Sequence, residues 1–382
     1  MTAPMQATSF LTLAYVFLIG LLFALGTFLA FMPYLTRRQE CFAVTVPASA
    51  SADPYLRRLK RCFTAALLAL TVLLSLGACA LFTGGIQDDA GLLDTLDWYL
   101  IGSDAAVLIA YYALMLLFRR KVQSRKDQMS WAAHEQRSVA VIAEEGVRRV
   151  PLAWCWVFAG IIAATFACAL VCYPLFPDQV PVRVSADGTV QEWMAKGPAV
   201  IAFPIILQAF LAGCFTFALW SINRSKKHVD PTAPATSALA YGLYARAWSL
   251  YDLVCGSVMV AVVGASFLLA SLELIPLIVV AAVIIVLAVA AVGSALVLSV
   301  VYGQAGSRLF SRMKATDAMP EDDDAHWKAG LFYFNPDDAG LFLPERFGIG
   351  WTMNWGRPAA WAILGGIIAT FAAFAFAVTA LI

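Results

Sequence analysis

The chain has 382 residues, 61% of them hydrophobic and only 13% charged. A soluble domain carries about 25% charge, so this composition excludes an ordinary water-soluble globule. The formal net charge of +1 implies no partner by itself and hides a strong segregation of charge along the chain.

Eight apolar runs follow one another: Phe10–Leu35, Cys62–Phe82, Trp98–Phe118, Pro151–Tyr173, Pro198–Trp220, Ser249–Ser271, Pro276–Val301 and Ala359–Ile382. Each can cross a hydrocarbon core of roughly 30 Å, which takes about 20 apolar residues in a helix. Every Lys and Arg except Arg183 and Lys196 falls in the gaps after the first, third, fifth and seventh runs. The alternate gaps carry acids instead, among them Asp88, Asp89, Asp178, Asp187 and Glu273. Basic residues stay on the cytoplasmic side of a membrane chain. The basic gaps are therefore expected in the cytoplasm and both termini outside. The first run has no basic residue before it and Arg37–Arg38 after it, so it reads as an anchor and not as a cleaved signal peptide.

Thr36–Arg61 reads as a basic loop interrupted by Pro47 and Pro54. From about Asp127 to Val147, apolar residues such as Met129, Ala132, Val139 and Ala143 recur at helical spacing. This predicts a cytoplasmic amphipathic helix that packs under the bundle or lies at the lipid headgroups, with its basic residues facing solvent and anionic lipid and not nucleic acid. Runs six and seven are joined only by Leu272–Ile275 and must form a tight antiparallel pair. Small residues recur every four positions at Ala291, Ala295 and Ser299, and again at Gly365, Ala369, Ala373 and Ala377. Such stripes let helices approach closely in lipid; the partner is a helix of this chain by default, or else a second copy. Trp98 and Trp193 fall at outer ends, and Trp154, Trp156, Trp220, Trp248 and Trp361 at inner ends, the pattern of an interfacial belt.

Two carboxylates and one carboxamide stand inside runs. Asp104 lies about two helical turns from the outer end of run three. A carboxylate there needs a cavity, a partner or a proton, which makes it the leading intramembrane candidate. A span beginning near Ala105 would instead leave it at the surface. Gln208, in mid-span, is expected to hydrogen-bond between helices. Asp252, one turn inside the inner end of run six, can reach the interface or pair with Arg246. Most of the cysteines lie within apolar runs, and no Cys/His grouping has zinc spacing. No metal, cofactor or catalytic set is read from the residues, so no enzymatic activity is expected.

The gap after run four, Tyr173 to Pro198, is built to be rigid. Pro174, Pro177, Pro181 and Pro198 restrict it, Val180, Val182 and Val184 alternate as in a strand, and Asp187-Gly188 signals a hairpin turn. This loop and its flanks, near 160 to 210, resemble domain of unknown function 1648, which the SdpI-type bacterial toxin-immunity and signalling proteins contain. The matching residues are Pro177, Asp178, Val180, Pro181, Gly188, Trp193 and Lys196. The usual His of the pattern is Arg183 here, which removes the imidazole at that position.

The gap after run seven ends in an aromatic-rich tail. Asn335-Pro336-Asp337-Asp338 reads as the turn of a small hairpin, and Gly348 and Gly350 as sites of positive φ or close backbone approach. The preceding acidic run, Glu321–Asp324, lacks the spaced ligands of a Ca²⁺ loop and reads as a solvated linker. The tail resembles domain of unknown function 5808 at Trp327, Lys328, Gly330, Phe332, Tyr333, Asn335, Pro336 and Asp338. The match continues at Pro344, Arg346, Gly348, Gly350, Trp351, Asn354 and Arg357. Its four tryptophans, Trp327, Trp351, Trp355 and Trp361, point to a packed module, since disordered tails are poor in aromatics.

The expected architecture is an all-α polytopic membrane protein of about eight spans, with a hairpin-like loop outside and a small module in the cytoplasm. Its regions are 1–150, three helices and basic loops; 151–220, the helix pair carrying the outer loop; 221–302, helices six and seven; 303–358, the tail module; and 359–382, the last span. The resemblances imply a sensor or immunity-type receptor for an extracellular peptide, toxin or envelope signal, with a cytoplasmic regulator as second partner. They imply no catalysis. A transporter or exporter subunit, with Asp104 and Gln208 on a midplane path, and a structural subunit of a membrane complex remain the rivals. The oligomeric state is not legible.

Overall fold

The structure is a computed structural model and describes residues 3–37, 39–85, 90–131, 147–184, 189–226, 233–313, 323–348 and 350–381. Among the described residues, eight helices are long and apolar enough to cross a membrane. They are α1 Ala3–Leu35, α2 Pro54–Gly85, α3 Ala90–Gln128, α4 Trp156–Cys172, α5 Pro198–Arg224, α6 Pro234–Ser271, α7 Leu277–Tyr302 and α9 Pro358–Leu381. The short α8, Ser307–Met313, follows α7. The protein is a multi-pass integral membrane protein.

Proline starts α2, α5, α6 and α9. Its missing N–H costs nothing at a first helical turn, and its fixed φ suits the helix. Gly303, at φ 69°, ends α7, a conformation that glycine adopts without a Cβ penalty. Several helices outrun the predicted spans. Arg57, Arg58, Lys60 and Arg61 lie on α2, Arg119 to Lys126 on α3, and Arg246 on α6. Hydropathy stops at the first charges, but the helices continue beyond the apolar spans, where basic side chains reach water, as Arg57 and Arg58 do, or the tail module, as Arg119 and Lys126 do. The expected loop Thr36–Arg61 is thereby corrected. It holds a tight hairpin, β1 Glu40–Cys41 with β2 Val44–Thr45, and then the first turns of α2.

The helices form two groups with separate cores. In the first, α1, α2 and α3 pack around Leu22, Phe63, Leu67, Val107 and Met115. In the second, α5 and α6 form the centre, flanked by α4, α7 and α9. α6 and α7 turn back on one another through Leu272–Pro276. The stripe Ala291, Ala295 and Ser299 turns inward, with Ser299 buried. The stripe on α9 does not. Gly365, Ala369 and Ala373 are exposed, and α9 instead packs through Phe374, stacked at 4.1 Å on Phe210 of α5. Rings supply more dispersion contact than the small residues, which corrects the expected intrachain use of that stripe. Asp187, Gly188 and most of the expected amphipathic helix between Asp127 and Val147 lie outside the described residues.

Two β elements lie at opposite ends of the helices. One hairpin, β3 Gln179–Val184 with β4 Val190–Ala195, joins α4 to α5. The other element follows α8 and consists of two small hairpins, β5 Trp327–Lys328 with β6 Phe332–Tyr333, and β7 Phe342–Pro344 with β8 Trp351–Met353. Asn335–Asp338 therefore connects two hairpins and is not the turn of one.

Candidate functional site

The β3–β4 hairpin is fastened at its base and open along its outer side. Val180 and Met194 pair across the strands and are buried against Ala169, Phe176, Val200 and Ile201. Lys196 Nζ donates to the Phe176 carbonyl at 2.7 Å and lies 5.3 Å from the Tyr173 ring centre. The Lys196 N–H donates to the Asp178 carbonyl at 2.8 Å. Pro177 is half-buried beside this base. Pro181 pairs with Trp193, whose ring is 52% exposed. Arg183 and Glu192 pair at 3.0 Å on the surface. Lys196 is thus a fastener, whereas the matched Trp193 and Asp178 and the departing Arg183 are exposed and presented.

The tail module is organised around Asn354, which is fully buried. Its Oδ1 accepts from the N–H groups of Asn335 and Gly356, and its Nδ2 donates to the carbonyls of Asn335, Asp338 and Gly340, at 2.7 to 3.3 Å. One side-chain amide therefore closes the connection between the two hairpins. Asn335 Oδ1 accepts from the Asp337 N–H, and Arg357 donates to the Pro336 carbonyl. Asp338 accepts from Lys226 at 2.6 Å and from the Tyr333 hydroxyl at 2.9 Å. Burial alone would raise its carboxyl. Lys226, the Gly340 N–H and Tyr333 outweigh that and hold it below the usual range. Lys328 lies over the Phe334 ring. Gly348 and Gly350 both have positive φ, as expected.

The module clasps both helix groups. Toward the first, Phe347 enters an aromatic cluster with Phe42, Phe63, Tyr111 and Phe118, with ring centres 5.3 to 6.1 Å apart. Arg346, 4% exposed, pairs with both Asp323 and Asp324 and lies 5.1 Å from the Trp327 ring centre. Asp324 also accepts from Lys126 of α3 at 2.7 Å and from the Thr45 hydroxyl at 2.8 Å. Arg119 of α3 donates to the carbonyls of Ala43 and Trp327. Asp323 and Asp324 are thus clasp residues, not a solvated linker. The β1–β2 turn residues Phe42 and Ala43 have φ of 47° and 58°, where Gly or Asn is usual. They are held there because the Phe42 ring is buried and the Ala43 carbonyl accepts from Arg119 and Arg346.

Toward the second group, Trp351 packs on Tyr244 and Trp248 at 5.5 and 6.1 Å. Gln304, 1% exposed, donates to the carbonyls of Glu345 and Gly350 and accepts from the Gly350 N–H. The Lys226 N–H donates to the Phe342 carbonyl at 2.8 Å, and Phe342 meets Trp220 at 5.3 Å. Trp220 and Trp248 therefore serve the clasp, whereas Trp98, Trp154, Trp156 and Trp361 stay at least half exposed, as belt residues would.

The intramembrane candidates do not converge. Gln208 is fully buried, and its Nε2 donates to the Val260 carbonyl at 2.8 Å and to Thr165 Oγ1 at 3.1 Å, tying α5 to α6 and α4. Asp104 is half-buried on α3, in the other helix group. Asp252 does not pair with Arg246, whose guanidinium instead donates to the Arg148 carbonyl at 2.8 Å. The backbone acceptor at the end of the 147–150 segment lies within reach, whereas a pair would draw Arg246 toward the bilayer.

Residues 160–207 match the domain of unknown function DUF1648, and residues 336–361 match the family of unknown function DUF5808. These matches cover the hairpin with its flanking helices and the second half of the clasp. No curated protein and no solved structure matches the chain.

Sequence reasoning missed Thr45, Arg119, Lys126, Gln304, Asp323 and Phe347 as clasp residues. Thr45 and Asp324 are 279 positions apart, and no local spacing encodes such a contact. One signal was available. Asp323 and Trp327 stand four apart, and the Trp327 Nε1 donates to Asp323 at 3.1 Å, which ties the acidic run to the module.

Proposed function

We propose that the protein is a membrane receptor of the sensor or immunity type. The hairpin meets an extracytoplasmic peptide, toxin or envelope component, and the clasp presents a surface to a cytoplasmic regulator. The orientation follows from the basic residues gathered at the clasp end. One observation carries the reading: α5 is a direct mechanical link between the two elements. It begins at Pro198, two residues after the hairpin fastener Lys196, and beyond its last residue, Arg224, the chain pairs with Phe342 of the clasp. A ligand that shifts the hairpin base shifts the helix whose far end holds the module. Packed interfaces of this kind switch between discrete arrangements.

The test is a crosslinking pull-down from native membranes with the intact protein and with a variant lacking Pro177–Lys196. Capture of an extracellular peptide or a soluble regulator by the intact protein, lost with the deletion, supports the receptor. Capture of integral membrane proteins alone, unchanged by the deletion, refutes it and favours a complex subunit.

A further inference from the structure

A partly open cleft of about 420 Å³ lies between α3 and the module. It is lined by the ring of Tyr112 from α3 and by Leu331, Phe332, Glu345, Thr352 and Trp355 from the module. Tyr112 and Phe332 are 43% and 53% exposed and form its mouth. Phe332 and Trp355 stand edge to face, 6.4 Å apart. The Trp355 Nε1 is buried and has no hydrogen-bond partner.

Glu345 is the unusual member. Its backbone is fixed by Gln304 and Gly350, but no described side chain pairs with its carboxylate. The neighbouring guanidinium, Arg346, is turned away to Asp323, Asp324 and the Ala43 carbonyl. Burial is the sole cause acting on this carboxyl, and it pushes the group up to about 7. An ammonium group in the cleft would supply the countercharge that this buried carboxyl lacks and would favour its ionised form. The rings add the attraction of their negative faces for an ammonium group. The volume falls within the range of small-ligand sites.

We propose that this cleft binds an organic cation, its ammonium group on Glu345 and its carbon skeleton against Tyr112, Phe332 and Trp355. The site is separate from the hairpin and stands or falls independently of the receptor reading. The ammonium can come from a free amine or from an aminophospholipid headgroup, since Tyr112 stands two helical turns from the basic residues that begin at Arg119.

The experiment is calorimetric titration of the full chain in nanodiscs of phosphatidylglycerol, with phenethylammonium as probe. Saturable binding is expected. Glu345→Gln should weaken it by roughly ten- to a hundredfold, the size of one hydrogen bond to a charged group. Phe332→Ala, at an exposed position, should weaken it by about tenfold through the lost ring. Adding phosphatidylethanolamine to the discs separates the sources. Unchanged probe affinity identifies a free amine, and loss of probe binding identifies the headgroup. No saturable binding in phosphatidylglycerol, or equal affinity in the native protein and both variants, overturns the proposal.

Discussion

The hairpin and the clasp both consist of short antiparallel strands, yet they use their polar residues in opposite ways. In the hairpin, Arg183 and Glu192 pair in solvent, with side chains 63% and 41% exposed. In the clasp, the Arg346 side chain is 5% exposed, pairs with Asp323 and Asp324, and shares Asp324 with Lys126 and Thr45. An exposed pair contributes about 0 to 1 kcal/mol, whereas breaking a buried one costs about 3 to 5 kcal/mol because its partners lose their countercharge. The clasp is therefore structural machinery that joins two helix groups. The hairpin is a fastened base with a face that holds nothing in place, the kind of surface available to a partner.

The largest effects should come from the clasp. Arg346→Ala removes the cation beside Asp323 and leaves Asp324 to Lys126 alone, and Phe347→Ala empties the aromatic cluster. Each should cost about 3 to 5 kcal/mol, seen as faster proteolysis of the tail and a lower unfolding midpoint in detergent. If the tail of either variant were as protected as in the native chain, the clasp would not be a structural joint. Asn354→Ala should cost about 2 to 4 kcal/mol, since it leaves several buried backbone groups without partners. Its first sign should be rapid hydrogen exchange at Asn335–Gly340.

Glu345 gives the comparison a pH dependence. Its folded carboxyl is raised by burial to about 7 from an ordinary 4.5, so the folded state holds a proton that the unfolded chain has released. Its contribution is complete below about 4.5 and fades as pH rises through about 7, by up to roughly 3 kcal/mol. Clasp stability should therefore be higher at pH 5 than at pH 8, and Glu345→Gln should flatten that difference. An unchanged slope in the variant would assign the dependence elsewhere. Within the helices, Gly264→Ala would place a Cβ 2.0 Å from Gln208 Nε2. It should cost about 1 to 3 kcal/mol by overpacking, measured as a lower melting temperature. Arg183→Ala should be the mildest, at most about 1 kcal/mol, while reducing capture of any hairpin ligand.

The number of spans and the hairpin strands were legible because each rests on a local pattern. A run of about 20 apolar residues has few alternatives, and Val180, Val182 and Val184 alternate as a two-sided strand must. The clasp was only half legible. Aromatic density announced a packed module, but its partners are Thr45, Lys126 and Gln304, far away in sequence. The acidic residues beside it looked solvated because nothing local answers their charge. Proximity in sequence offers Asp252 either the interface or Arg246, but the backbone carbonyl of Arg148 takes that guanidinium. In the hairpin, the same list of matched residues mixes a fastener, Lys196, with presented groups, Asp178 and Trp193. Only the hydrogen bonds and exposures separate them.

The central claim is that one module holds both helix groups at once. Its most direct test is zero-length carbodiimide crosslinking of the native chain. An amide between Lys126 and Asp324 reports the first contact, and one between Lys226 and Asp338 the second, where the native amine and carboxylate are 2.7 and 2.6 Å apart. Both amides should form in the same molecule. Closure of one pair with the other persistently open would mean that the module belongs to a single helix group, and the account of a clasp would be wrong.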